Sequence, residues 1–405
     1  MNLGNGGSAF SAFRHRNFLY YWTSLLVSNT GNQMQIVATN WQVYQITHSP
    51  FALGLIGFFR IFPIVIFSLI GGVLADAMDR RKIIFIAEFV MMLSSFLLGI
   101  ITLAGNVPVW TIYLLTAVNA AAFAFDTPAR HSLVPNLVPE KELSHAVTLN
   151  NTQYQSATIF GPVVTGFLIA STNIGNIYLI NTVSFLTVLI AMLHINIKRK
   201  ETALHLISFK SLKEGFHFVF RHNLIRSGML LDFFATFFAS AATMMPIFAT
   251  DILKVGPEGL GILYAAPAIG AVAAGIFFSL FPHIPKKGLL LLASAFIFGL
   301  ATVFFGISNI FLLSLFFLAV TGAADTLSSI IRHTLRQLVT PDHLRGRMNA
   351  ISMIFFMGGP QLGEVEAGIA AGMFGAPFSV VIGGIGTMAV TAYITLRNKA
   401  LRNYQ

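Results

Sequence analysis

Twelve long, continuous apolar runs divide this 405-residue sequence, at about residues 19–46, 51–75, 83–104, 109–128, 146–170, 174–195, 223–250, 257–281, 288–306, 309–331, 348–372 and 375–396. Each is near the roughly 20 residues that a helix needs to cross a bilayer. No single globule could bury that much apolar surface. Hydrophobic residues make up 55% of the chain and charged residues 10%, whereas soluble domains carry about a quarter charged. Only helices and closed barrels satisfy every backbone polar group inside a bilayer. Long uninterrupted runs, as opposed to short alternating ones, predict helices. The expected class is an all-α membrane protein of twelve transmembrane helices.

The charges fix an orientation. The even-numbered loops and the two termini hold 23 of the 25 Lys and Arg residues; the exceptions are Arg60 and Lys254. Loops rich in Lys and Arg stay on the cytoplasmic side, so both termini are expected in the cytoplasm, in a cell inner membrane. The net charge of +10 then serves topology, with anionic lipid as neighbour. Basic residues spread over every inner loop do not make the single basic face that nucleic acid would require. The first residues lack a basic segment followed by a cleavable apolar core, so the first spanning helix is expected to direct insertion. With no cysteine in the chain, disulfides and thiolate metal sites are excluded. No phosphate-binding loop, nucleophile elbow or metal-ligand run is present, and neither a cofactor nor a metal is expected.

The runs repeat. At an offset of 207, Phe13-Arg14-His15 falls on Phe220-Arg221-His222, Pro50 on Pro257 and Leu53-Gly54 on Leu260-Gly261. Further on the offset slips to 201, and Leu137, Val138 and Leu143 match Leu338, Val339 and Leu344. The expected organisation is a six-helix bundle at 1–195, a cytoplasmic connection at 196–222 and a second six-helix bundle at 223–405. Within the connection, Phe209, Leu212, Phe216, Val219 and Phe220 have helical spacing, which predicts an amphipathic helix on the inner surface. Two parallel halves related by an axis along the membrane normal are a transporter architecture, with substrate bound between them near the midplane.

The turn after the second run reads Gly71-Gly72-Val73-Leu74-Ala75-Asp76-Ala77-Met78-Asp79-Arg80-Arg81-Lys82. It resembles the signature between helices 2 and 3 of the major facilitator superfamily. Asp126-Thr127-Pro128-Ala129-Arg130 and Gln361-Leu362-Gly363-Glu364-Val365-Glu366-Ala367-Gly368 are similar to segments of the enterobactin-exporter-like branch. The resemblance covers nearly the whole chain, and it implies two six-helix bundles that alternate access to a central site. It also implies that Asp76, with Gly72, Arg80 and Arg81, latches the halves in one state. The competing reading of this block is a solvated, topology-setting turn. Two features depart from the drug/proton antiporters of the superfamily: Tyr113 to Phe125 carries no arginine, and the helix-5 Gly-Pro motif survives only in part, as Gly161-Pro162-Val163-Val164-Thr165-Gly166.

Charged and amide side chains inside the runs are the candidate site residues, because polar groups in hydrocarbon must face a partner or a cavity. Arg60 is the basic residue well inside a span, and it is read as an anion or coupling site or as half of a structural ion pair. Gln33, Asn40 and Gln42, with other amides of the first run, suit a large, partly polar ligand and are assigned with Arg60 to the substrate pathway. Asp232, Asp325, Glu364 and Glu366 are proton-coupling candidates, since a buried carboxylate can load and release a proton. Glu364 and Glu366 lie about 200° apart on a helix, so they cannot face one cavity. Glu88 and Asp126 are expected to pair with inner arginines.

The function expected is secondary active transport by a monomer, with proton-coupled export of a small hydrophobic compound, drug or siderophore as the first reading. Uptake of a nutrient or metabolite, lipid translocation and non-transporting membrane sensing stay open as alternatives. No enzymatic activity is expected.

Overall fold

The computed structural model describes residues 10–77, 79–105, 107–196, 216–280 and 286–404; at 68–77, 342, 343, 345–347, 349, 350, 353 and 354 it describes the backbone alone. Every regular element among these residues is helical. Twelve long helices stand at the twelve predicted positions. They are α1 (Arg16–Thr47), α2 (Pro50–Ala77), α3 (Arg80–Leu103), α4 (Val109–Leu133), α5 (Leu143–Ser171), α6 (Ile174–His194), α7 (Asn223–Ile252), α8 (Gly256–Leu280), α9 (Lys287–Ile307), α10 (Phe311–Val339), α11 (Asp342–Phe374) and α12 (Ala376–Arg397). Nine of them carry an apolar window long enough to cross a membrane. The other three, α1, α5 and α11, are interrupted by amides, hydroxyls or carboxylates.

Local chemistry sets the boundaries. Asp79 caps α3, its side chain accepting from the Arg81 amide at 3.0 Å, which satisfies one of the free amides of the first turn. Asn173 caps α6 in the same way through Gly175. Lys254 and Gly256, both in the left-handed region, turn the chain from α7 into α8. The helix α7 is not continuous. Its α-helical part ends at Phe238, a 3-10 turn follows at Ala241–Met244, and a π-helical turn at Phe248–Ile252 completes the span.

Packing forms two compact units, Met1–Thr39 with Phe62–Leu206, and Asn40–Ile61 with Ile207–Gln405. In the first unit α3 packs on α4 and α6; in the second α9 packs on α10 and α12. The same pairings recur in the same order, as the sequence repeat implies. The first core gathers Phe18, Tyr21, Ile84, Leu133, Ala146 and Val188. Around Leu231, Leu291, Ile331, Leu335 and Ile394 the second unit builds its own. The end of α1 and the start of α2 form a hairpin, Asn40–Ile61, that packs in the second unit. Pro63 lies inside α2 just beyond that hairpin, where its missing N–H weakens the helical ladder.

The expected amphipathic helix at 209–220 falls partly outside the described residues. Residues 216–221 are helical, and Val219 is buried against Met229, Met348 and Ile351. The described end of that segment therefore packs its apolar face on α7 and α11.

Candidate functional site

The hairpin Asn40–Ile61 carries the polar groups that converge in the second unit. Arg60 Nη1 lies 3.8 Å from Glu364 Oε1 on α11, with side chains 17% and 15% exposed. That is a loose pair, at charge-pair range but beyond hydrogen-bond length. One turn and a half away, Gly54 and Gly368 bring the two helices into backbone contact: a Cβ on Gly368 would stand 2.5 Å from the Gly54 Cα. A Cβ on Gly57 would meet the Glu364 Cβ at 2.6 Å. Glycine at these positions is what lets α2 and α11 cross so closely, and the crossing sets the spacing of Arg60 and Glu364.

Asn40, buried in α1, donates from Nδ2 to the Tyr264 hydroxyl of α8 at 2.8 Å, while its Oδ1 has no hydrogen-bond partner. Tyr264 also lies within electrostatic reach of Arg60 and Glu364. Asn40, Arg60, Tyr264 and Glu364 thus make one polar group. At the rim, the Tyr44 hydroxyl donates to Asp251, a residue 207 positions away. That separation equals the offset of the sequence repeat, so each of these side chains occupies the other's equivalent position. His48 packs its ring edge-on against Tyr44, with centroids 5.7 Å apart.

The helix α11 carries this site on one side only. Its 361, 364 and 368 positions face α2, whereas Gly359 and Gly363 lie against the Phe233 and Phe237 backbone of α7. Glu366, half-buried, shares a side with the exposed Leu362, Ile369 and Met373, and no ion pair reaches it among the described residues. The interrupted part of α7 adjoins α11 as well, where Ser240 Oγ donates to the Pro360 carbonyl at 3.3 Å. Sequence reading missed this break. Its signal is Pro246, at the start of the segment after the break, which cannot continue a helix that precedes it; the alanines ahead of it favour helix.

The other acids have partners. Asp232 is buried and pairs with Arg332 at 2.6 Å; Asp325, with a side chain 46% exposed, stands 3.6 Å from the same guanidinium. Ser328 and Ser329 accept from Arg332 at 2.6 and 2.9 Å. In the first unit Arg130 pairs with both Glu88 and Asp126.

The amides of α1 divide by role. The Gln35 carbonyl accepts from Ser95 and Asn181, each at 2.5 Å, and ties α1 to α3 and α6. Asn29 donates to Gln153 of α5 at 3.3 Å. Gln33 shares a hydrogen bond with Tyr154, in the first unit and apart from the Asn40 group. Gln42 is buried in the second unit.

Of the charged turn after α2, the side chains of Gly72 and Asp76 lie outside the described residues. Arg81 Nη1 donates to the Ile195 carbonyl at 2.8 Å, and Arg80 to the Ser132 carbonyl at 3.1 Å. These two arginines tie the start of α3 to the ends of α6 and α4. The Arg81 side chain also binds Asp79 and holds its carboxyl below the usual carboxylate range.

Comparison with known proteins bears on the family and the fold. A profile of the family described as "Transmembrane secretion effector" matches residues 7–404. The enterobactin exporter EntS of Shigella boydii is 25% identical over 369 residues, covering 91% of this chain and 88% of the relative. EntS of Escherichia coli K12 is 24% identical over the same length. A bacterial homologue of the lysosomal transporter Spinster, in an inward-facing and occupied conformation, superposes with a TM-score of 0.75 at 12% identity, covering 96% of this chain and 99% of that one. A D-xylose–proton symporter superposes with a TM-score of 0.72 at 14% identity, covering 96% and 100%. The protein is a multi-pass membrane transporter, not an enzyme, and it belongs to the transmembrane secretion effector family of the major facilitator superfamily.

Proposed function

We infer that the protein is a secondary active transporter that exports a small hydrophobic or siderophore-like compound in exchange for protons, by alternating access. The observation that carries this reading is the loose Arg60–Glu364 pair at the glycine crossing of α2 and α11. Transporters of this superfamily carry small molecules, and relatives at about a quarter identity are named as exporters of enterobactin.

Glu364 is held by one cation at a distance that a proton can replace. While it is ionised, attraction to Arg60 keeps the hairpin against α11. A proton on Glu364 removes that attraction and frees Arg60 and Asn40 to meet a ligand. Coupling then amounts to competition between a proton and an ion pair for the same conformational equilibrium. Of the remaining acids, Asp325 is nearly half exposed and stands at the edge of ion-pair range from Arg332, whereas Asp232 is buried against that guanidinium. Gln42, in the same unit, and Gln33, in the first, are the further substrate-pathway residues of this reading. Asp76, with Gly72, Arg80 and Arg81, acts as the latch at the opposite end of α2. The protein works as a monomer in the inner membrane, with both termini cytoplasmic and anionic lipid around the inner loops.

A strain lacking the protein, challenged with a panel of dyes, antibiotics and siderophores, tests the reading. Retention of at least one compound should rise in that strain and return to normal on complementation. A protonophore should abolish the difference, as should Glu364→Gln. Equal retention of every compound with and without the protein would contradict export.

A further inference from the structure

The helices α3 and α4 enclose three ionisable side chains that the transport reading leaves unused. Glu88 on α3 and Asp126 on α4 expose none of their surface. Arg130, one turn beyond Asp126, stands between them with a side chain 12% exposed. Its Nη2 donates to Glu88 Oε1, and its Nε faces Asp126 Oδ2. Beyond these two contacts, Asp126 Oδ1 and Glu88 Oε2 have no donor among the described residues.

Among the described residues no second cation forms an ion pair with either carboxylate. From α1, Asn29 Oδ1 accepts from Arg130 at 3.5 Å and the Tyr21 hydroxyl donates to the Arg130 carbonyl at 3.4 Å. Arg80 directs its guanidinium to the Ser132 carbonyl, and the His131 ring follows Arg130 on α4.

One guanidinium therefore meets two carboxylates. Fully ionised, the group holds a net charge of −1 in a medium where an uncompensated charge costs far more than taking up a proton. With one proton the charges balance. One carboxyl oxygen on each acid without a donor is what a site short of one hydrogen looks like. We propose that Glu88, Asp126 and Arg130 form a proton-binding site that holds one proton in the resting protein. It is separate from Arg60–Glu364, and it stands whether or not that pair couples transport. The proton belongs to the two carboxyls jointly, because groups this close titrate as a pair.

Such a site makes an unusual prediction about substitutions. Replacing either acid by its amide mimics the bound proton and leaves a balanced one-to-one pair. Replacing both strands Arg130. Infrared spectroscopy of the purified full-length protein in lipid nanodiscs at neutral pH reads the carbonyl stretch of protonated carboxyls. Relative to the wild type, Glu88→Gln and Asp126→Asn should each lose the intensity of one protonated carboxyl, and Arg130→Gln should gain one. Thermal unfolding supplies a second readout: each single amide variant should melt near the wild type, and the double variant well below either. Unchanged carboxyl intensity in both single variants would overturn the proposal. So would single variants that melt as low as the double.

Discussion

At the scale of single residues, the two partners of the Arg60–Glu364 pair are not equivalent. Removing one member of a buried pair leaves the other uncompensated, a cost of about 3–5 kcal/mol for a fully buried charge. The slight exposure of both side chains reduces it here. Glu364 has an escape, since it can take a proton. Arg60 has none, because a guanidinium stays charged at any physiological pH. Arg60→Ala should therefore be the milder change for stability and Glu364→Gln the harsher one, while both abolish proton-dependent transport. Thermal unfolding in detergent, paired with a flux assay, separates the two effects. Equal melting temperatures for the two variants would mean that Arg60 has a second acceptor in reach. Sequence alone identifies both residues as costly in a membrane, but nothing in it joins them. They lie far apart along the chain, and no periodicity reports a contact made by folding. Arg130 and Asp126 differ in this respect, since four residues on one helix face each other by geometry.

At the scale of elements, the glycine crossing and the capped turn account for most of the local order around the sites. Gly368 is closed against the Gly54 backbone, and backbone cannot move aside as a flexible side chain can. Gly368→Val should cost about 1–3 kcal/mol through overpacking and should part α2 from α11, which would break the Arg60–Glu364 pair without touching either residue. Loss of transport at normal membrane abundance would bear this out, and wild-type rates would contradict it. At the start of α3, Asp79→Ala should cost about 1 kcal/mol as a lost N-cap. Because Arg81 holds the Asp79 carboxyl below its ordinary value, the cap stabilises fully above the unfolded value of roughly 3.9 and fades as pH falls through the folded one. The difference between wild type and Asp79→Ala, measured by thermal unfolding, should then be constant near neutrality and shrink in acid. The twelve helices are legible in the sequence because crossing a bilayer fixes both their length and their polarity. The break in α7 is less so, since the alanines at 239, 241 and 242 favour helix and only Pro246 speaks against it. The Tyr44–Asp251 bond is not: the offset of 207 pairs these positions, but the residues differ, so a search for identities passes over them.

At the scale of the whole molecule, duplication gives two sets of helices with the same internal pairings, and the hairpin Asn40–Ile61 packs with the second set. A hairpin from one repeat is thus seated in the packing of the other. Beside the close backbone crossing of Gly54 and Gly368, it is held by a loose ion pair, an amide–phenol hydrogen bond and a phenol–carboxylate hydrogen bond. Proton-driven export is the central claim, and flux in inverted membrane vesicles tests it most directly. Vesicles containing the protein, acidified inside, should accumulate a labelled catecholate siderophore or another compound picked out by the retention panel. Collapse of the pH gradient with a protonophore should stop accumulation. Accumulation that ignores the gradient, or flux only out of inverted vesicles, would contradict the account.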